Sequence, residues 1–278
     1  MKKINRRSFL AAAGLTAAAL ALTACGGSAS STASSTASSA ASSEAASTSA
    51  AAELTTVEAG KLTMATNAAF PPYEMTTDAG EFEGIDIDTA KAIAEKLGLE
   101  LQIDDMDFDA ALLSVQQGKA DIVMAGVTVT DERKAVMDFS DSYATGIQSI
   151  IVPEGSDITS PDDLAGKKIG TQRGTTCYIY CSDDFGDDAV VAYDDGLTAV
   201  QALKNGQVDA VVIDNAPAKE FVAANPGLVI LDTSYAEEDY AIGLAKGSAL
   251  EDAVNAALEE LKADGTLQSI VDKYITAE

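Results

Sequence analysis

Two short stretches constrain the fold more than any other feature. "VQQGKADIV" (115–123) and "LKNGQVDAV" (203–211) share one order of parts: the end of a helix, a Gly, two residues, an Asp, and an apolar strand. Each closes a longer alternation. "KLTMAT" (61–66) reads as a strand. "GIDIDTAKAIAEKLGLELQI" (84–103) reads as a short strand, then a helix with Asp88 as its N-cap, stopped by Gly98, then a second strand. Ile87, Ala90, Ile93, Ala94 and Leu97 share one face of that helix. "DAALLSVQQG" is helical and "ADIVMAG" a buried strand. Strand and helix alternating in this way predict a parallel sheet with covering helices. "SIIVPEG", "SPDDLAG" with Pro161 in its first turn, "KKIGTQ", "AVVAY", "GLTAVQALKNG" and "VDAVVID" repeat the pattern. Two such units predict a two-lobed α/β fold, each lobe a mostly parallel sheet with helices on both faces.

The tail decides how the lobes connect. "DYAIGLAKG" (239–247) is a further strand. Ser248 then caps a helix to Ala263, and a last helix covers 266–275. If these elements return to the first lobe, the chain crosses between lobes twice, near 146–150 and 234–241. The expected lobes are 54–147 with 241–278, and 148–240 with the hinge. A cleft between hinged lobes is a usual ligand site.

The first 53 residues are not part of this pattern. Residues 1–24 carry only basic charge, then an apolar Ala-rich run, then small residues, the layout of a cleavable secretory leader. The run is short for a membrane span. Arg6-Arg7-Ser8-Phe9-Leu10 resembles a twin-arginine signal, and "LTAC" (22–25) resembles a lipoprotein box with Cys25 as the lipidated residue. Residues 26–53, Ser- and Ala-rich, cannot bury enough apolar surface to offset ordering entropy. They predict a tether with a span of roughly 25–30 Å. Extracytoplasmic location, lipid-anchored at the outer face of a bacterial membrane, follows as an expectation.

Charge and composition exclude several functions. The chain has 18 basic and 44 acidic side chains, a formal charge of −26, and the four leader charges are all basic. Nucleic acid is therefore not an expected ligand. Histidine is absent, so no His-based triad, proton shuttle or metal ligand exists. Cys177 and Cys181 lack the two further ligands a zinc site needs, and a disulfide between them stays open. No metal or cofactor is expected.

One arginine has an odd position. In "VTVTDERKAVMDFS" (127–140) Thr130 or Asp131 reads as a helix N-cap, which puts Arg133 in the first turn, the wrong end for a cation. A surface pair with Asp131 or Asp138 is the plain explanation. A planar guanidinium beside free helix N–H groups would also suit a bound carboxylate. Asp214, ending the strand "VDAVVID", faces the crevice where ligands of such sheets sit, although it also suits a helix N-cap.

"ATNAAFPPYE" (65–74), "GIDIDTAKAIA" (84–94), "DIVMAGVTVTDERKAVMDFSDSY" (121–143), "GTQRGTT" (170–176) and "VDAVVIDNAPA" (208–218) together resemble the polar-amino-acid-binding proteins of bacterial ABC importers, solute-binding protein family 3. The resemblance runs from about 60 to 276. It implies the periplasmic-binding-protein fold, an extracytoplasmic receptor, a free amino acid as ligand, an ABC permease as partner, no catalysis and a monomeric state. It implies that Arg133 pairs with the ligand α-carboxylate and that Asp214 accepts the α-ammonium. Ala125, Gly126 and Thr128 would contact both groups. Thr175 and Thr176 would hold the other side of the carboxylate, and Gln172 would meet the side chain. Specificity would come from Asn67, Phe70, Tyr73 and Phe108. Asn67 stands where some relatives have Asp, which favours a polar uncharged ligand such as glutamine; Cys177 near the pocket keeps cystine open. Two alternatives are an enzyme of this fold, such as a dehydratase using Asp214 or Glu74, and a ligand-sensing domain.

Overall fold

The computed structural model describes residues 54–275. The leader, Cys25 and the tether lie outside the described residues, as do 276–278.

The elements run in this order. β1 (Lys61–Thr66), β2 (Ala69–Phe70), β3 (Glu74–Thr76) and β4 (Phe82–Glu83) precede α1 (Ile85–Leu97). β5 (Glu100–Asp105), α2 (Phe108–Gln116), β6 (Ile122–Val123), α3 (Asp131–Lys134) and β7 (Met137–Phe139) follow. Next come β8 (Ala144–Pro153), β9 (Ile169–Gln172), α4 (Thr176–Phe185), β10 (Val190–Tyr193), α5 (Gly196–Lys204), β11 (Ala210–Asp214), α6 (Asn215–Ala224) and β12 (Leu228–Ile230). β13 (Ala236–Tyr240), β14 (Gly243–Ala245), α7 (Glu251–Ala263) and α8 (Thr266–Tyr274) complete the chain. "SPDDLAG" forms one 3-10 turn, Pro161–Leu164, closed by a Ser160–Asp163 capping box.

Two larger sheets form, ordered β5-β1-β6-β14-β7 and β10-β9-β11-β8-β12, with β13 on β8; β2, β3 and β4 make a small antiparallel sheet. Both larger sheets are mixed rather than mostly parallel. β1 is parallel to β5 and β6, whereas β14 runs against β6 and β7. β9 is parallel to β10 and β11, whereas β8 runs against β11, β12 and β13. The antiparallel strands adjoin the points where the chain leaves one sheet for the other. It passes from β7 to β8 and returns from β13 to β14. The two passages lie side by side, paired from Ala144↔Tyr240 to Gln148↔Ala236.

Each sheet buries apolar side chains on both faces. Leu62, Met64 and Ile122 pack with Ile93 of α1 and Val254 and Leu258 of α7, while Val123 packs with Ala111 and Val115 of α2. In the second sheet Val211 and Ile213 face α5 and α6, while Val212 and Ile169 face α4. Burying one such Ile or Leu stabilises the fold by about 1.5–3 kcal/mol. α7 and α8 pack on α1, so the tail does return to the first sheet.

Two expected caps do not form. α1 starts at Ile85, not after Asp88. Gly84 turns the chain at φ +135, and a Cβ there would lie 2.1 Å from the Tyr73 carbonyl oxygen. The N–H groups of Ile85 and Asp86 then donate to the carbonyls of Pro72 and Tyr73, so "GIDI" joins the helix and needs no side-chain cap. Asp88 instead binds Lys273 and Tyr274 of α8. α7 starts at Glu251; Ser248 belongs to the turn before it, where its hydroxyl accepts the Leu250 N–H.

Candidate ligand-binding site

A cavity lies between the C-terminal ends of β1 and β6 on one side and of β9 and β11 on the other. Asn67, Phe70, Phe108, Ala125, Gly126 and Thr128 line it from the first sheet's side, with Arg133 at the start of α3. Gln172, Thr175, Thr176 and Asp214 line it from the second. Tyr73 is one layer back. It stacks on Phe70, with ring centroids 5.6 Å apart, and meets Tyr240 edge-on at 5.5 Å.

Arg133 reaches the cavity for a reason different from the one its position suggested. Thr130 is the N-cap, and its hydroxyl accepts the Arg133 N–H at 3.2 Å. But α3 is one turn long, too short for a useful dipole, so backbone carbonyls aim the side chain. Nη1 donates to the Thr128 carbonyl at 2.7 Å and Nη2 to the Gly174 carbonyl at 3.2 Å. The guanidinium lies over the Phe108 ring, 5.4 Å from its centroid. Two of five N–H groups are used, which leaves an edge of the fork for a carboxylate. Asp138 pairs with Lys246 instead. Burial lowers the Arg133 pKa, while the Glu238 carboxylate opposes that shift.

Asp214 lines the cavity and also caps a helix. One oxygen accepts the Ala216 N–H at 2.9 Å, which makes it the N-cap of α6. The other accepts the Ile147 N–H at 2.9 Å and the Tyr240 hydroxyl at 3.1 Å. The carboxyl is 2 % exposed. Burial pushes its pKa up to about 6, against the pull of these three donors.

The remaining residues form a bonded wall. The Gln172 amide donates to Asn67 Oδ1 at 2.8 Å, and the Asn67 amide donates to the Met106 carbonyl at 2.9 Å. Thr175 caps α4, its hydroxyl accepting from the Tyr178 N–H. Thr128 and Thr176 both donate to Glu238 Oε2, at 2.9 and 2.8 Å. Gln148 donates to the same oxygen at 2.7 Å and accepts from the Cys177 thiol at 2.6 Å. Burial pushes the Cys177 thiol well up, and no disulfide joins Cys177 to Cys181. Gly126 stands at φ +55, and a Cβ there would lie 2.8 Å from the Phe70 ring. Only Gly allows that approach cheaply.

Sequence reasoning missed Gln148, Val212, Ile213 and Tyr240, all of which line the cavity, and Glu238 behind it. Glu74, considered only as an enzymatic acid, lines it as well. One signal was available. In "AEEDY" Glu238 and Tyr240 alternate with exposed Glu237 and Asp239, the period of a strand with one buried face.

Among the described residues no cluster could hold a metal ion, and no helix is long and apolar enough to cross a membrane.

Known proteins resemble this chain over most of its length. The sequence profile of the bacterial extracellular solute-binding proteins, family 3, matches residues 62–277. The chain is 33% identical over 226 residues to the L-cystine-binding protein TcyJ of Escherichia coli (strain K12), covering 80% of this chain and 85% of that protein. It is 33% identical over 230 residues to the arginine-binding extracellular protein ArtP of Bacillus subtilis (strain 168), covering 78% and 87%. A solved structure titled as an ancestral arginine-binding protein bound to glutamine superposes with a TM-score of 0.72 at 43% identity, covering 78% of this chain and 99% of that one.

Proposed function

The chain belongs to the bacterial extracellular solute-binding proteins, family 3, and from that premise we propose that it is an amino-acid receptor of an ABC importer. One observation carries the reading. A half-buried guanidinium, Arg133, and a buried carboxylate, Asp214, line one cavity from its two sides. A zwitterion bridges such a pair, its α-carboxylate on Arg133 and its α-ammonium on Asp214. Thr176, Ala125 and Gly126 complete the frame. Binding energy shared between two lobes favours closure. TcyJ and ArtP, named as binding proteins for L-cystine and arginine, support an amino-acid ligand.

The proposed lobes are 54–147 with 241–278, and 148–240. The paired β8 and β13 form the hinge between them. Residues 1–24 act as the leader, Cys25 carries the lipid, and 26–53 tether the receptor, as a monomer, to the outer face of the membrane beside its permease.

The ligand side chain meets Asn67 and Gln172, two neutral amides already bonded to each other. A polar uncharged amino acid fits them, glutamine first, and Cys177 on the wall keeps cystine in the set. A second reading is a cationic amino acid, favoured by Glu238, whose Oε1 is buried without a partner. A thermal-shift screen of the twenty amino acids and cystine, with Arg133→Ala in parallel, tests all of this. A ligand at a hundredfold excess over Kd stabilises the native state by about 2.7 kcal/mol. A shift with wild type and none with the variant supports the receptor reading; glutamine against arginine separates the two side-chain readings. No shift from any amino acid, once carried-over ligand is stripped, overturns it.

A further inference from the structure

Beneath the cavity, Glu74 of β3 and Asp86 of α1 face each other. Both side chains are fully buried, and the Asp86 N–H donates to the carbonyl of Tyr73, next to Glu74, which brings the two carboxyls into electrostatic contact. Asp86 Oδ2 accepts the Gly126 N–H at 3.1 Å and the Tyr143 hydroxyl at 2.8 Å. No hydrogen-bond donor reaches Asp86 Oδ1 or either oxygen of Glu74. The ionisable groups around the pair are Tyr73, Tyr143, Asp105 and Asp214, all neutral or acidic. Among the described residues no lysine or arginine bonds to either carboxyl.

Two carboxylates at such a distance, out of water and without a cation, cannot both ionise. One proton between them replaces repulsion with a charge-assisted hydrogen bond. The donors decide where the charge rests. Asp86 has two and Glu74 has none, so Asp86 keeps the charge and Glu74 the proton. The shifts follow the same order. Burial and the adjacent Asp86 charge push Glu74 well above its usual range, whereas burial raises Asp86 only to about 6, held back by Tyr143 and Gly126.

We propose that Glu74 is a positioning residue that works as a neutral acid: its proton, shared with Asp86, keeps Asp86 Oδ2 on the Gly126 N–H and so fixes residues 125–126 against the ligand. This rests on reading the cavity as an amino-acid site. Loss of the proton at alkaline pH places two anions side by side, drives the pair apart and releases Gly126. Cavity and proton are thereby linked, with ligand binding and proton retention favouring each other.

The test uses the full chain as wild type, Glu74→Gln, Glu74→Ala and Asp86→Asn, with L-glutamine and L-arginine as probes. Calorimetric titration from neutral to alkaline pH reads affinity. Infrared spectra read the C=O stretch of a buried protonated carboxyl, and the Gly126 amide shift in NMR reads the loop without ligand. In wild type the carboxyl band persists at neutral pH. Affinity falls on alkaline titration by at most about tenfold per pH unit, the slope for one linked proton, and the Gly126 shift moves with it. Glu74→Gln carries a permanent donor, so it lacks the band, binds more tightly than Glu74→Ala at neutral pH and shows no alkaline loss. Glu74→Ala binds weakly throughout. Asp86→Asn keeps a band from the buried Glu74 acid, shifted because its charged acceptor is gone, and loses the pH-dependent Gly126 shift. The proposal is overturned if Glu74→Gln keeps the band, keeps the alkaline loss or binds as poorly as Glu74→Ala. If neither probe binds wild type, the receptor reading loses support for these ligands, while the band and the Gly126 shift still decide the shared proton.

Discussion

Asp214 and Glu74 are two buried carboxyls on one cavity, and they are solvated by the protein in different ways. Asp214 accepts two backbone N–H groups and a hydroxyl. Glu74 has only another carboxyl beside it. Burial raises both pKa values, but the donors around Asp214 preserve an anion while Glu74 favours the neutral acid. Residue type and burial alone therefore do not assign a role to an acidic residue. The count of donors aimed at it does, because those donors stand in for water.

The sharpest way to break the comparison is to make the same isosteric change at both positions. Asp214→Asn should reduce affinity by about 2–5 kcal/mol, because it removes the proposed partner of a ligand ammonium from a desolvated site. Glu74→Gln should cost less affinity at neutral pH than Asp214→Asn, because its amide still donates to Asp86. Equal losses in calorimetric titration would show the two carboxyls to be alike. Arg133→Ala belongs beside Asp214→Asn, with a loss of similar size.

A backbone change comes next. Gly126→Ala should destabilise the fold by about 1–3 kcal/mol, since Ala at φ +55 is strained and its Cβ meets Phe70. Urea unfolding checks this, and unchanged stability would remove Gly126 from the argument.

The pH dependence of binding separates the two carboxyls without mutation. Asp214 must be ionised to hold the ammonium, so affinity should weaken as pH falls through about 6, by at most about tenfold per pH unit. Its effect on folding has the opposite sign. Its folded pKa lies above the ordinary 3.8, so its contribution to stability is fully present below 3.8 and is lost as pH rises through about 6. An affinity that stays flat on acid titration would show that Asp214 does not meet the ammonium.

The smallest effect is a control on the surface. Lys273 bonds to Asp88 at 2.7 Å, with the lysine side chain 58% exposed. Lys273→Ala should cost about 0.2–1 kcal/mol of stability and leave affinity alone. A change in affinity would mean that α8 communicates with the cavity.

Much of the molecule was legible in the sequence. The alternation of strands and helices, the apolar face of α1 and the return of the tail depend on local periodicity, which a chain carries wherever it folds. Arg133 and Asp214 stood out because each sits at a strand or helix end with an electrostatic oddity. Two caps and the strand direction did not follow. Asp88 and Ser248 have good capping chemistry, but backbone carbonyls from Pro72 and Tyr73 and an upstream turn set those helix starts. The antiparallel strands follow from how the chain enters and leaves each sheet, a property of the whole path.

By itself the sequence determined the two α/β units, the acidic and histidine-free chemistry, and most of the residues that line the cavity. Only the tertiary structure decided that Glu238, Gln148 and Tyr240 meet Thr128, Thr176 and Asp214. That meeting depends on β8 and β13 pairing across 90 residues or so of chain. Only the tertiary structure brought Glu74 against Asp86 and kept donors and cations away from it. Side-chain identity is a local property, whereas the dielectric and the hydrogen-bond partners that set a group's charge come from distant segments.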